Sequence, residues 1–250
     1  MSEAEQALFA GALVFCRIAG CVMAMPGLSS ARLPMRARLA LAVLASLAVA
    51  PLVRDRFGAE ALSPALPDQA AAILRETLVG IVMGLLVRVY VLAFEMMTAA
   101  MSTAIGLSAA FAPPVEGDQL APALAGALTL GATMLFFAAG LDAQMLRALV
   151  GSYAAVPPGA GLAPQAGLQM FLTSLQEASL ICLQLAAPIL ILSIAANLAF
   201  GLVSRFMPQA PIYFVSTPLM IGVGLLVLYF TGRSMFEILL DAMSRRLETL

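Results

Sequence analysis

The run from Ala70 to Ala110, AAAILRETLVGIVMGLLVRVYVLAFEMMTAAMSTAIGLSAA, decides the fold. Only Arg75, Glu76, Arg88 and Glu95 interrupt its apolar text, and no proline does. At about 1.5 Å per residue it would form a helix ~60 Å long, roughly twice the hydrocarbon thickness of a bilayer. The rest of the chain is of one kind with it: 250 residues have a mean hydropathy of +1.00, 62% apolar and 11% charged side chains. A soluble domain carries about 25% charged residues, so the composition argues for a membrane protein.

Five further apolar blocks flank this run. Ala7 to Met25 and Leu39 to Val53, joined by a basic loop with Arg32, Arg36 and Arg38, predict a helical hairpin. Arg54 to Asp68 is a polar connector. Beyond the long run, Phe111 to Pro122 is a Pro-, Gly- and acid-containing loop, which leads into Ala123 to Gly140. Gly151 to Gln165 is rich in Pro and Gly and reads as an exposed connector. Met170 to Phe206 is again too long for one simple crossing, and Pro188 inside it predicts a kink. Ile212 to Phe230 gives way to an amphipathic tail with Arg233, Glu237, Asp241, Arg245 and Arg246. Lipid offers no partner to backbone groups, and the short alternating strands of a membrane barrel are absent from the text. The expected fold is therefore all-α: a polytopic membrane protein of helical hairpins, one domain over residues 1–250, without internal repeats. The first block follows no basic segment and reads as retained rather than as a cleaved leader.

Composition also removes chemistries. All 13 basic residues are Arg, and there is no His, Lys or Trp. An imidazole base, a His-ligated metal, a Schiff base and a P-loop lysine are excluded. Cys16, Cys21 and Cys182 lack the spacing of a metal site or a disulfide framework and read as small apolar fillers. Scattered arginines and a net charge of −1 make no nucleic-acid face. We expect no catalytic residues, cofactor or metal. Six crossings put six arginines on one side and four on the other, which leaves orientation open and suggests that some segments pack inside an assembly.

Ionisable groups within apolar helices are the candidates for function, because lipid tolerates them poorly. Glu76, Gly80, Gly84, Arg88 and Glu95 share an arc of about 120°. Gly80 and Gly84 permit close approach of another helix. The charges read either as partners of neighbouring helices in assembly or as the lining of an aqueous or proton path. Arg17, in mid-block, reads either as paired with a carboxylate from this chain or a partner or as serving transport. Arg205 reads as snorkelling or capping the end of its helix, and Asn197 as an interhelical hydrogen-bonder. The irregular segment that follows Gly106-Leu107-Ser108 is an ordinary loop or is buried by protein at membrane depth.

Several stretches in this order resemble the FliR family of flagellar export proteins, related to the SctT proteins of virulence secretion. They are Phe15-x-Arg17 with Met25-Pro26, Arg75-Glu76-x3-Gly80-x3-Gly84, Gly106-Leu107-Ser108, and Asn197-Leu198-Ala199-Phe200-Gly201-Leu202-x2-Arg205-x2-Pro208-Gln209. The resemblance implies a non-enzymatic subunit of the type III export gate in the bacterial inner membrane and flagellar basal body. It implies FliP, FliQ, FlhB and FlhA as partners and unfolded flagellar proteins as cargo. It also implies a pore plug over Gly106, Leu107, Ser108, Phe111, Pro113, Pro114 and Pro122. The chain departs from the family at Ala109-Ala110, where an aromatic is frequent. A virulence-type subunit is the alternative reading. A small-solute transporter is a further one, disfavoured because the halves show no symmetry.

Overall fold

The computed structural model describes residues 3–29, 33–57, 66–107, 123–207, 209 and 212–249. Seven α-helices make up nearly all of them: α1 Glu3–Ala24, α2 Met35–Val53, α3 Leu66–Ala104, α4 Ala123–Ala138, α5 Leu141–Ala155, α6 Pro164–Phe206 and α7 Ile212–Glu248, with a 3-10 turn at Arg54–Arg56. The described residues contain no strand. Five helices are long and apolar enough to cross a membrane, and the α4–α5 pair makes a sixth if counted as one span. The all-α membrane fold is thus as expected, and the chain is an integral membrane protein by length and apolarity of its helices.

Several boundaries differ from the sequence reading. Leu141–Ala155 is a helix that takes in the start of the stretch read as an exposed connector from Gly151 to Gln165, so the Pro- and Gly-rich connector shrinks to residues 156–163. Gly140, at φ +70°, separates α4 from α5; this left-handed conformation costs glycine nothing. The expected tail after Phe230 is no separate element, because α7 continues unbroken to Glu248. Arg233, Glu237, Asp241 and Arg245 lie on one exposed face while Met235, Leu239, Met243 and Leu247 are buried on the other, so the 3.6-residue period holds across the change in composition. The helical run of α6 likewise continues through Pro188.

The chain forms two compact units, each built from separated segments. Residues 1–89, 136–176 and 243–250 form the first. Its core includes Leu13, Ile18, Leu86, Leu149 and Tyr153. Here α1 and α3 approach at backbone distance: a methyl on Gly20 would lie 2.6 Å from the Thr77 carbonyl and one on Gly84 2.6 Å from the Ala24 methyl, while one on Gly80 would overlap the Arg17 carbonyl. The Gly80-x3-Gly84 pair therefore serves packing within the chain, the close helix approach that small residues allow.

Residues 90–135 and 177–242 form the second unit. Phe94 and Phe236 rings pack 5.9 Å apart, Ile105 fills the space beside Gly224, and the Ser193 hydroxyl donates to the Ala104 carbonyl at 2.8 Å, tying α6 to the end of α3.

Candidate functional site

In the first unit the sequence buries two charges without exit to solvent. Arg17 on α1 and Glu76 on α3 are both 0% exposed. Nε of Arg17 donates to Oε2 of Glu76 at 2.6 Å and Nη2 to Oε1 at 3.0 Å, a two-pronged pairing that matches the planar guanidinium to the carboxylate. The remaining donors reach α5 and its exit: Nη1 donates to the Ser152 hydroxyl and Nη2 to the Val156 carbonyl, each at 3.1 Å. The Tyr153 ring lies under the guanidinium carbon, 3.9 Å from its centroid, a cation–π contact in a desolvated place.

Glu76 is equally occupied. Its Oε1 also accepts the Gly159 amide at 2.9 Å, while the neighbouring Arg75 donates to the Gly159 carbonyl at 3.0 Å. Two consecutive α3 residues thus hold both polar groups of one connector glycine. The closed network joins α1, α3, α5 and the connector, and charges buried away from water persist only with such partners. Of the two readings for Glu76, its geometry fits pairing; neither carboxylate oxygen faces water.

The other candidates on that α3 arc part company with it. Arg88 is half-buried and Glu95 exposed, and among the described residues neither has an ion-pair partner. Helical spacing puts them on one arc, but the neighbours along a helix of 39 residues change. Asn197 is exposed and donates to Ser193, one turn back on its own helix, at 3.3 Å rather than across to another; Ser193 carries the link on to α3. Arg205 is exposed in the last turn of α6, and Gln209 is exposed in the turn beyond. Pro208 lies outside the described residues. Glu177 accepts the Tyr90 hydroxyl at 3.0 Å.

The second unit holds a cleft of about 330 Å³ between the end of α3, the face Asn197, Phe200, Gly201 and Ser204 of α6, and Ser216, Thr217 and Met220 of α7. The i, i+3, i+4, i+7 spacing of the α6 residues explains why one face of that sequence stretch lines it. Gly106, at φ +79°, turns the chain at the cleft's edge, and Leu107 is buried. Ser108, Phe111, Pro113, Pro114 and Pro122 lie outside the described residues.

Sequence reasoning found Arg17 and Glu76 but missed Ser152, Tyr153 and Gly159. Separations of 135 residues for Arg17–Ser152 and 83 for Gly159–Glu76 leave no local spacing to read. Among the described residues no three His, Cys, Asp or Glu side chains gather as a metal site would require.

Overlong apolar helices and a sealed internal ion pair define an integral membrane protein. The chain belongs to the family of bacterial export proteins, family 1, whose model matches residues 8–246. The flagellar biosynthetic protein FliR of Caulobacter vibrioides is 31% identical over 234 residues, covering 91% of either chain. Its namesake in Escherichia coli K12 is 28% identical over 217 residues, 84% of this chain and 78% of the relative. That of Aquifex aeolicus is 26% identical over 149 residues, 60% and 56%.

Proposed function

We propose that this chain is a non-enzymatic subunit of the flagellar type III export gate, which builds with FliP and FliQ the pore for unfolded flagellar proteins. It works beside FlhA and FlhB in the inner membrane, at the flagellar basal body. The observation that carries the reading is similarity to a flagellar FliR protein along 91% of both chains. Helices of 39, 43 and 37 residues, each longer than a bilayer requires, suit a subunit that completes itself against partners.

In this reading Arg17–Glu76 holds the first unit together, and the segment from Gly106 to Pro122 plugs the pore. The assembly claim is tested by co-expressing the tagged chain with FliP and FliQ of the same organism. A stable complex that restores motility to a strain lacking this gene is expected; a chain that purifies alone and never retains FliP or FliQ refutes it. For the plug, deletion of residues 106–120 is expected to make assembled complexes leak ions, and unchanged conductance refutes that assignment.

A further inference from the structure

α3 buries one side and leaves the other uncovered. Val87, Tyr90, Phe94 and Met101 are at most 1% exposed. On the opposite side Arg88, Leu92, Glu95, Met96, Ala99 and Thr103 fall within an arc of about 100°; Arg88 and Ala99 are half-buried and the other four exposed. α3 runs unbroken from Leu66 to Ala104, so the placement of these residues along it follows from helical geometry alone. Arg88 and Glu95 stand two turns apart, about 10 Å along the axis, too far to pair with each other. Neither has an ion-pair partner among the described residues. Leu92 and Met96, 41% and 70% exposed, lie between and beside them.

Neither lipid nor water suits this face. A crossing segment needs about 20 residues, and any such stretch of α3 takes in Arg88 unless it begins in the helix's first turn. Hydrocarbon tolerates an unpaired guanidinium or carboxylate poorly. Water would suit the two charges but not the apolar side chains among them, and Leu74 and Leu78, 60% and 51% exposed, continue the same side toward the start of the helix. Arginine and methionine set among apolar residues are the composition of a protein interface core, and the carboxylate in their midst calls for a cation. A second copy of the chain does not match. Two α3 helices parallel and in register set each charge beside its like, and shifted by two turns they leave one cation and one carboxylate unmatched. An antiparallel two-fold would satisfy both pairs, but it needs the chain inserted in both membrane orientations.

We infer that this face of α3 seats a membrane helix of a different subunit, one that presents a carboxylate to Arg88 and an Arg or Lys to Glu95 two turns away, with apolar side chains against Leu92 and Met96. Docking of such a helix matches both charges, the condition under which buried ions persist. It also fixes the partner's direction, because turning that helix end for end sets each charge against its like. That the subunit belongs to an export apparatus rests on the function proposed above.

The test uses the full chain, tagged and expressed with its own export apparatus in the native cell, then purified from the membrane in mild detergent. Sister subunits retained per tagged chain are expected to fall roughly tenfold or more in Arg88→Glu and in Glu95→Arg, and to stay near wild type in Arg88→Lys, which keeps the charge. The same reversals in the chain purified alone are expected to leave its thermal unfolding unchanged; a lowered melting temperature would overturn the inference by revealing a partner within the chain. p-Benzoylphenylalanine at Met96 leaves both charges in place and serves if the reversals fail to insert. It is expected to cross-link to a helix of a sister subunit that bears an acid and a base two turns apart, and reversing those two charges is expected to restore Arg88→Glu/Glu95→Arg. A Met96 adduct with lipid, with a second copy or with a helix lacking that acid and base would refute the seat. So would labelling of Arg88→Cys and Glu95→Cys in the assembled complex by a charged, membrane-impermeant thiol reagent, with Cys16, Cys21 and Cys182 replaced by Ala, because it would put a water path on the face. A wild-type chain that retains no sister subunit refutes the export gate itself, whereas a wild-type complex indifferent to the reversals refutes only this docking face.

Discussion

Removing one charge of the Arg17–Glu76 pair is expected to damage the protein far more than removing both. In Glu76→Ala, Arg17 loses two of its four hydrogen bonds, at 2.6 and 3.0 Å, and keeps only Ser152 and the Val156 carbonyl. The Gly159 amide loses its acceptor as well. An uncompensated cation at 0% exposure costs about 3–5 kcal/mol, and an orphaned amide adds roughly 1–3 kcal/mol where water cannot reach it. The double variant Arg17→Met/Glu76→Leu removes both charges and keeps apolar volume. Such replacements are often neutral, so it should recover most of the loss, short of the Gly159 bond. Thermal unfolding of the purified chain in one detergent, run for wild type, both single variants and the double, gives the coupling energy directly. A coupling of several kcal/mol is expected. If the double variant is as unstable as the sum of the singles, the two residues do not act as a unit and the sealed-pair account fails.

Glycines should sort by what lies beside them. Gly80→Ala pushes a methyl into the Arg17 carbonyl and should lower stability by about 1–3 kcal/mol, as overpacking does. Gly126→Ala in α4 meets nothing within 4 Å and should instead gain up to ~1 kcal/mol of helix propensity; both are read from the same thermal unfolding. The Tyr153 hydroxyl is buried with no hydrogen-bond partner among the described residues, so Tyr153→Phe should match or exceed wild-type stability, whereas Tyr153→Leu, which removes the ring under Arg17, should fall below it. Ser152→Ala removes a donor's partner from Arg17 and should cost about 1 kcal/mol in the same measurement.

The fold class was legible in the amino-acid text, because apolar runs this long can satisfy their backbones in lipid only as helices. The text also singled out Arg17 and Glu76, since a charge inside such a run demands a partner. What it could not hold was the identity of that partner. The pairing joins positions 59 residues apart, and its further contacts reach 135 and 139 residues along the chain, beyond any periodicity. The face that Gly80 and Gly84 share with Glu76 was legible from helical spacing. Arg88 and Glu95 share that arc yet are half-buried and exposed, because spacing fixes direction around an axis and not what stands opposite it. α5 went unread as a helix for a related reason: Arg147 is exposed while Leu141, Met145, Leu149 and Tyr153 are buried, and only tertiary packing shows which side is covered. Local chemistry chose helices; the choice of neighbours belonged to the folded chain, where burial and the desolvation of charge reward only mutually satisfied arrangements.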